Sequence, residues 1–199
     1  HLIKKLETEH INLIIEKEFS IFLENNIRFN KSISTFNSYE TLKNKADFLL
    51  SIGGDGTLLK AVTYVRESEI PIMGINTGRL GFISSISADQ IDDAITDILK
   101  GNYKINERTL LELGSDKNLF KEKNFALNEV AVSKKDTSSM IRIDAYVDDE
   151  FLNTYWADGL VVSTPTGSTG YSLSCGGPII MPGTNNIIIT PNAPHNLNV

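Results

Sequence analysis

An acidic residue inside a glycine-rich turn is the strongest chemical signal in this sequence. Asp55 lies in the run Gly53-Gly54-Asp55-Gly56-Thr57, after an apolar stretch and before a stretch of helical character. Glycines lack the Cβ that would hold a ligand away, so phosphate oxygens can approach amide groups at the positive end of the following helix. A resting phosphate would repel a carboxylate, so we interpret Asp55 as a proton acceptor for an attacking hydroxyl or as a magnesium ligand. The turn predicts phosphoryl transfer, with a plain turn as the alternative.

A second glycine-rich loop follows the next apolar stretch of the chain. The segment 74–82 reads GINTGRLGF and adds the hydrogen-bonding side chains of Asn76 and Thr77 and the positive charge of Arg79. Loops that follow adjacent parallel strands share one crevice at the carboxyl edge of the sheet. We therefore expect both glycine loops to border one site. Glycines that only relieve backbone strain, and a surface position for Arg79, stay open as alternatives.

A polar pair interrupts the apolar sequence of the second half. Asn128 and Glu129 follow Phe-Ala-Leu and precede Val-Ala-Val. Buried polar groups need hydrogen-bond partners, which ribose hydroxyls or an adenine edge would supply. A bulge or an edge position with both side chains in water explains the pattern equally well.

Hydroxyl side chains crowd the segment from Asp158 to Pro178. They belong to Ser163, Thr164, Thr166, Ser168, Thr169, Ser172 and Ser174. These groups are neutral donors and acceptors, and Tyr171 offers a ring on which a base can stack. We expect a nucleoside site here rather than a solvated loop, because a plain loop needs neither ordered glycines nor an aromatic residue.

The composition limits the class of protein and its partners. With 41% hydrophobic and 22% charged residues in a chain of 199, a globular protein of one large or two small domains is expected. A net charge of −6 argues against nucleic acid or an anionic membrane as partner, and no apolar run approaches the ~20 residues of a membrane span. Cys175 is the single cysteine and the three histidines lack metal-ligand spacing. We therefore expect no intrachain disulfide, no metal site built from cysteines or histidines, and a cytoplasmic location.

The predicted elements place this chemistry at strand ends. The first part of the chain alternates strand-like apolar runs with helical spacings of three and four, which is α/β order. The predicted elements are a helix Leu2–Thr8, a strand Ile11–Ile15, a helix Phe19–Glu24, polar turns to Asn37, a strand Ala46–Ile52, a helix with its apolar stripe at Leu58, Ala61, Val62 and Val65, and a strand Ile70–Ile75. A strand, a crossover helix and a strand make a parallel unit, whose ligands bind at the carboxyl ends of the strands. Asp55 follows such an end.

The second half changes character after one more helix. Its apolar stripe consists of Ile91, Ile95, Ile98 and Leu99. Gly101 closes this helix, and we place the boundary between domains 1–101 and 102–199 there. Residues 141–147 alternate apolar and polar side chains, as a half-buried antiparallel strand does, and a second strand is expected over 151–156. We expect an all-β, sandwich-like second domain that is incomplete at its C-terminal end, in a chain clipped at both ends.

Taken in order, these motifs resemble those of the NAD kinases of bacterial type. GGDGT alone is shared with lipid kinases and relatives of phosphofructokinase, but its joint order with GINTGRLGF, the Asn128-Glu129 pair and DGLVVSTPTGSTGYSLSCGGPI narrows the resemblance to NAD kinases. The resemblance implies an α/β domain with a parallel sheet, a β-rich C-terminal domain, NAD bound between them, and a homo-oligomer, either a dimer or a tetramer. It also implies ATP, or polyphosphate in some members, as the donor, with Mg²⁺ or another divalent metal.

The same resemblance implies roles for individual residues. Asp55 matches the family's catalytic proton acceptor. The implied substrate-binding residues are Gly56 and Lys60 near the phosphates, Asn128 and Glu129 at the nucleoside, Asp158 in the Asp-Gly motif, and Thr169, Gly170, Tyr171, Ser172, Leu173 and Ser174 around the adenine. Gly170 stands where alanine is usual and Trp156 where a basic residue is frequent. His195 belongs to a proline-histidine element implied to lie near the dinucleotide.

The reaction implied is transfer of the γ-phosphoryl group of ATP to the 2′-hydroxyl of the adenosine ribose of NAD, which gives NADP. In that reaction Asp55 would accept the proton. Two alternatives stay open. One is a non-catalytic nucleotide-binding fragment, and the other is a lipid kinase that shares GGDGT, which the nucleotide-like segment after Asp158 disfavours.

Overall fold

The computed structural model describes residues 1–29, 33–78, 81, 83–84, 86–117, 119–120, 124–136 and 139–195. The chain divides into two compact units, His1–Ile105 and Asn106–Val199. Arg79, Leu80 and Phe82 of the second glycine loop lie outside the described residues. The predicted division into domains 1–101 and 102–199 stays a prediction.

The first unit alternates helices and strands. The helices are α1 Leu2–Thr8, α2 Lys17–Glu24, α3 Tyr39–Leu42, α4 Asp55–Val65 and α5 Ile91–Leu99, and the strands are β1 Ile14–Glu16, β2 Ser34–Phe36, β3 Leu49–Gly53, β4 Ile72–Asn76 and β5 Ile86–Ser87. Strands β3, β4 and β5 form a parallel sheet, and β1 pairs with β2, also in parallel. The predicted α/β architecture with a parallel sheet is confirmed.

The β3-α4-β4 unit is the part of this fold that positions the glycine turn. Strand β3 pairs with β4 so that Gly53 lies opposite Asn76, which brings the ends of both strands to the same level. Helix α4 buries one stripe, consisting of Leu58, Ala61, Val62 and Val65, as its spacing predicts. Because the helix is fixed on the sheet by this stripe, its first residue, Asp55, is held at the carboxyl edge.

Apolar side chains cover both faces of the β3-β4-β5 sheet. On one face Met73 and Ile75 pack with Leu6 of α1 and Ile95 of α5. The partly buried Ile72 belongs instead to a second cluster. The buried members of that cluster are Phe36, Leu42, Val65 and Ile70. Alternate residues of β4 thus serve opposite faces, as the period of two in a strand requires.

Several strand bounds in the first unit were predicted wrongly. The first strand begins at Ile14 rather than Ile11, because the amide of Ile11 returns to the carbonyl of Leu6 and His10 turns the chain at a φ of 57°. The prediction of polar turns up to Asn37 missed β2, whose Phe36 is buried. A strand of three residues is too short to show a period in the sequence.

The two central strands begin later in the sequence than predicted. Strand β3 begins at Leu49 rather than Ala46, and β4 begins at Ile72 rather than Ile70. The amide of Leu49 bonds to the carbonyl of Pro71 at 2.9 Å, and Pro71 itself has no N–H for the ladder. Helix α5 ends as expected, because Gly101 adopts a φ of 73° and donates its amide to Ile98.

The second unit is built mainly from antiparallel strands. These are β6 Leu111–Glu112, β7 Phe125–Ala126, β8 Glu129–Ser133, β9 Ile141–Val147, β10 Glu150–Ala157, β11 Gly159–Ser163 and β12 Ile188–Asn192. Strand β11 lies between β8 and β12, while β9 pairs with β10 and β6 pairs with β7. The predicted hairpin over residues 141–156 is confirmed, with β10 one residue longer at each end.

The hydroxyl-rich segment is more ordered than the loop that its composition suggests. A 3₁₀ turn at Thr166–Thr169 is followed by the one-turn helix α6, Tyr171–Ser174. The second unit is therefore β-rich, with two short helical turns in this segment. Among the helices of the described part of the chain, none is both long and apolar enough to cross a membrane.

Candidate functional site

Asp55 is the first residue of α4, and Gly54 is the residue that precedes the helix. Its side chain is half-buried and lies against the loop that follows β4. The Oδ1 atom accepts hydrogen bonds from the amides of Ile83 at 3.2 Å and Ser84 at 3.0 Å. Neither amide was predicted to take part, because a backbone donor has no signature in the sequence. The carboxylate is thus fixed by backbone groups rather than turned out into water.

The three glycines of the turn differ in how much room the structure leaves for a side chain. Gly53 has a φ of 150°, and a methyl group there would overlap the side chain of Thr57. At Gly54 and Gly56 a methyl group would meet no described atom within 4 Å, and both residues are exposed. Internal packing therefore requires glycine only at Gly53. The open space at Gly54 and Gly56 agrees with the prediction of a ligand that approaches the backbone.

The second glycine loop lies beside the first. Thr77 donates its amide to the carbonyl of Gly53 at 3.4 Å. The buried side chain of Asn76 holds the loop through its Oδ1 atom, which accepts the amide of Gly78 at 2.7 Å. The expectation that the two loops border one edge of the sheet agrees with this geometry, while the predicted role of Arg79 falls outside the described residues.

Lys60 lies farther along α4, and its ammonium group pairs with acidic residues at the start of α2. The Nζ atom is 3.3 Å from Glu18 Oε2 and 3.8 Å from Glu16 Oε1. These partners, chiefly the hydrogen bond to Glu18, raise the pKa of Lys60 above its ordinary value. A phosphate-binding role for Lys60 requires this exposed side chain to leave Glu18, and it stays a prediction.

Asn128 and Glu129 lie where β7 gives way to β8, and both are half-buried. The side-chain atoms Asn128 Oδ1 and Glu129 Oε2 are buried and have no hydrogen-bond partner among the described residues. Burial alone raises the pKa of the Glu129 carboxyl. The alternative in which both side chains face water is therefore wrong. Two acceptors removed from water without a donor are what a bound polyol or amine would satisfy.

The hydroxyl-rich segment packs directly on this pair. Thr164 donates its amide to the carbonyl of Asn128 at 2.9 Å, and a methyl group on Gly167 would overlap the Asn128 backbone. A methyl group on Gly170 would lie 3.2 Å from Glu129 Oε2 and 3.8 Å from Asn128 Nδ2. The structure thus brings Gly170, Asn128 and Glu129 together.

Buried hydroxyls in this segment serve the fold. Thr164 Oγ1 donates to the carbonyl of Leu127 at 2.6 Å, and Ser168 Oγ donates to that of Pro165 at 2.7 Å. Ser172 Oγ lies 2.9 Å from Thr190 Oγ1, and neither residue is more than 5% exposed. These internal partners were not predicted, because they lie far apart in the sequence or on the backbone. The substrate-binding role of Ser172 stays a prediction.

The other residues implied around the adenine lie near the surface. Three residues of α6 are exposed, namely Tyr171, Leu173 and Ser174. The hydroxyl of Tyr171 accepts a hydrogen bond from the side-chain Nδ2 of Asn192 at 2.8 Å. Thr169 is half-buried and donates its Oγ1 to the carbonyl of Thr166 at 3.4 Å. The exposed side chains of α6 are therefore accessible to a planar ring such as adenine.

Asp158 and the residues near it form a separate arrangement. Asp158 Oδ1 lies 2.7 Å from the ammonium of Lys134, a partner that no motif predicted. Trp156 is exposed, and its carbonyl accepts the amide of His195 at 2.9 Å. This hydrogen bond fixes the backbone of His195 beside β10.

Comparisons with known proteins identify the family of the chain. Family models of the ATP-NAD kinase N-terminal and C-terminal domains match residues 4–103 and 127–199. The chain is 51% identical over 200 residues to an NAD kinase of Cytophaga hutchinsonii, and the match covers 100% of this chain and 68% of that relative. The chain therefore spans about two thirds of the length of this curated relative.

Solved structures of the same kind share the fold. A yeast NADH kinase complexed with NADH has a TM-score of 0.82 at 26% identity, over 99% of this chain and 61% of that one. An Archaeoglobus fulgidus NAD kinase in complex with ATP has a TM-score of 0.70 at 29% identity, over 94% of this chain and 73% of that one. The expected fold class and enzyme class are thereby confirmed. The chain belongs to the NAD kinase family of phosphotransferases, as the order of its motifs predicts.

Proposed function

We propose that this protein transfers the γ-phosphoryl group of ATP to the 2′-hydroxyl of the adenosine ribose of NAD, with Asp55 as the proton acceptor. The observation that carries the proposal is the placement of Asp55 at the first turn of α4, beside two exposed glycines without a packing role. The carboxylate can take the proton of an attacking hydroxyl, and the open backbone amides beside it can bind the phosphates of the donor.

Positioning supplies most of the rate in this mechanism. An ordinary aspartate, with a pKa of about 3.9, is a weak base toward an alcohol. The proton therefore moves late, as the ribose oxygen bonds to phosphorus in a loose transition state. The amides of Ile83 and Ser84 hold one oxygen of Asp55, which limits rotation of the carboxylate while it receives the proton.

Recognition of the nucleoside falls to the second unit. Asn128 Oδ1 and Glu129 Oε2 are acceptors, and ribose hydroxyls are donors of the matching kind. Gly170 lies beside Glu129 Oε2, where a methyl group would come within 3.2 Å of that acceptor, and Tyr171 offers an exposed ring for the adenine. The solved yeast relative was complexed with NADH, which is consistent with a dinucleotide as the acceptor substrate.

ATP is the donor that the comparisons favour, since the archaeal relative was solved with ATP. A divalent metal would be held chiefly by the phosphates of the donor and by water, as Mg²⁺ commonly is in such sites, and it would neutralise charge on the transferring group. The described residues contain no group of three or more His, Cys, Asp or Glu side chains that could hold a metal ion. We further propose a cytoplasmic dimer or tetramer, following the family.

The test is NADP formation by the purified protein from NAD, with ATP or polyphosphate as donor in the presence of Mg²⁺. Formation of NADP with ATP is the expected result. Binding of NAD by calorimetry without NADP formation from either donor would identify a non-catalytic nucleotide-binding protein instead. Phosphorylation of diacylglycerol or sphingosine without NADP formation would identify a lipid kinase.

A further inference from the structure

Gly81 lies against the carboxylate of Asp55. A methyl group built at Gly81 would lie 2.5 Å from Asp55 Cγ and 2.6 Å from Oδ2, and it would overlap Oδ1 as well. All of these separations are far below van der Waals contact for carbon and oxygen. The φ of Gly81 is not in the left-handed region, so backbone conformation does not explain the glycine. The carboxylate occupies the space that any other side chain would take.

A second glycine allows the amide that binds Asp55 to reach it. Gly74 lies in the middle of β4, and a methyl group there would lie 2.7 Å from Leu58 Cδ1, 2.8 Å from Ser84 Oγ and 3.0 Å from Ser84 Cα. Ser84 is fully buried, and its amide donates to Asp55 Oδ1 at 3.0 Å. Gly74 thus lets the loop pack onto the sheet at the height required for this hydrogen bond.

We propose that Gly81 is a positioning residue, which acts by leaving room for the Asp55 carboxylate to rest on the amides of Ile83 and Ser84. Gly74 supports the same contact by seating Ser84. The inference rests on the proposed function for its catalytic consequence, but the contact itself does not depend on activity. A side chain at residue 81 would push the carboxylate off these donors. A misplacement of about 1 Å at a reacting group can cost ~10²-fold in rate.

The kinetic test compares Gly81→Ala with Gly114→Ala, an exposed glycine whose methyl group would meet no described atom within 4 Å. We expect Gly81→Ala to lower kcat by ~10- to 100-fold while the Kd for NAD and the KM for NAD stay within about twofold. Gly114→Ala should match the wild type. An unchanged kcat in Gly81→Ala, or a loss confined to KM, would overturn the positioning role.

A stability cycle tests the contact without using activity. Gly81→Ala should lower Tm by about 5 °C, because overpacking a filled site is destabilising. In the Asp55→Ala background the carboxylate is gone, so the same change should shift Tm by no more than about 1 °C. Equal losses in both backgrounds, or misfolding of both Gly81→Ala proteins, would overturn the inference. A wild type that makes no NADP but shows this coupling would refute the proposed function and leave the contact established.

Discussion

Replacing Glu129 with glutamine should make the protein more stable and weaken its binding of NAD. Glu129 Oε2 is buried without a partner among the described residues, and burial raises the pKa of this carboxyl above its ordinary value of 4.5. An unsatisfied buried polar group costs about 1–3 kcal/mol. Since the residue is half-buried and partly screened by water, we take the lower end, about 1 kcal/mol, for the charge removed by Glu129→Gln.

The pH dependence of this effect has a definite sign. Between 4.5 and the raised pKa of the folded protein, the native state holds more protons on Glu129 than the unfolded state does. The contribution of Glu129 to stability therefore falls as the pH rises through this window. Glu129→Gln removes that loss, so its advantage over the wild type should be small near pH 4 and should grow as the pH rises and Glu129 ionises, to about 1 kcal/mol, which corresponds to ~2–4 °C in Tm.

The same substitution removes the negative charge of a side chain that the proposed function assigns to the nucleoside, and it leaves one acceptor oxygen in place of two. Hydrogen bonds to a charged group contribute about 1.5–3 kcal/mol, so we expect the Kd for NAD to rise by ~10- to 100-fold. Thermal unfolding at several pH values and calorimetry at pH 8 measure the two effects. Glu150→Gln, at an exposed residue in the same unit, is the matched control and should change neither. A Glu129→Gln protein with lower Tm at pH 8, or with wild-type affinity, would refute the reasoning.

Three further changes test other parts of the structure. Asp55→Asn should lower kcat by at least ~10²-fold in NADP formation while NAD still binds, and wild-type turnover would exclude a proton acceptor at this residue. Lys134→Met removes the 2.7 Å ion pair to Asp158 and should cost about 1 kcal/mol in chemical unfolding, less at high salt; equal losses at all salt concentrations would argue against an electrostatic origin. Gly167→Ala places a methyl group into the Asn128 backbone and should cost ~3 kcal/mol or more in chemical unfolding, whereas a neutral effect would mean that the two segments do not pack this closely.

The parts of the fold that the sequence predicts well are those with a long or strongly local signal. Helix α4 presents eleven residues with one buried stripe, which is enough to define a helical period. The glycine turn before it is recognised from five consecutive residues, so the sequence alone places Asp55 at a strand-to-helix turn. The alternating residues of β9 gave its bounds correctly for the same reason.

Other features depend on partners distant in the sequence, and local patterns do not contain them. Strand β2 exists because it pairs with β1, and its three residues show no period of their own. The start of β3 is set by the carbonyl of Pro71, more than twenty residues away. Two amides from a different loop donate to Asp55, and amides are the same in every residue except proline.

The abundance of hydroxyl groups proved a poor measure of their availability to a ligand. Ser163, Thr164, Ser168 and Ser172 are all fully buried and bonded within the second unit, because serine and threonine can cap short turns as readily as they can bind a sugar. Asn128 and Glu129 show the reverse, since one acceptor atom of each is removed from water and finds no donor among the described residues. Such atoms destabilise the free protein and are retained where a ligand satisfies them. The unsatisfied acceptors, rather than the crowded hydroxyls, are therefore the stronger physical argument for a nucleoside site in this unit.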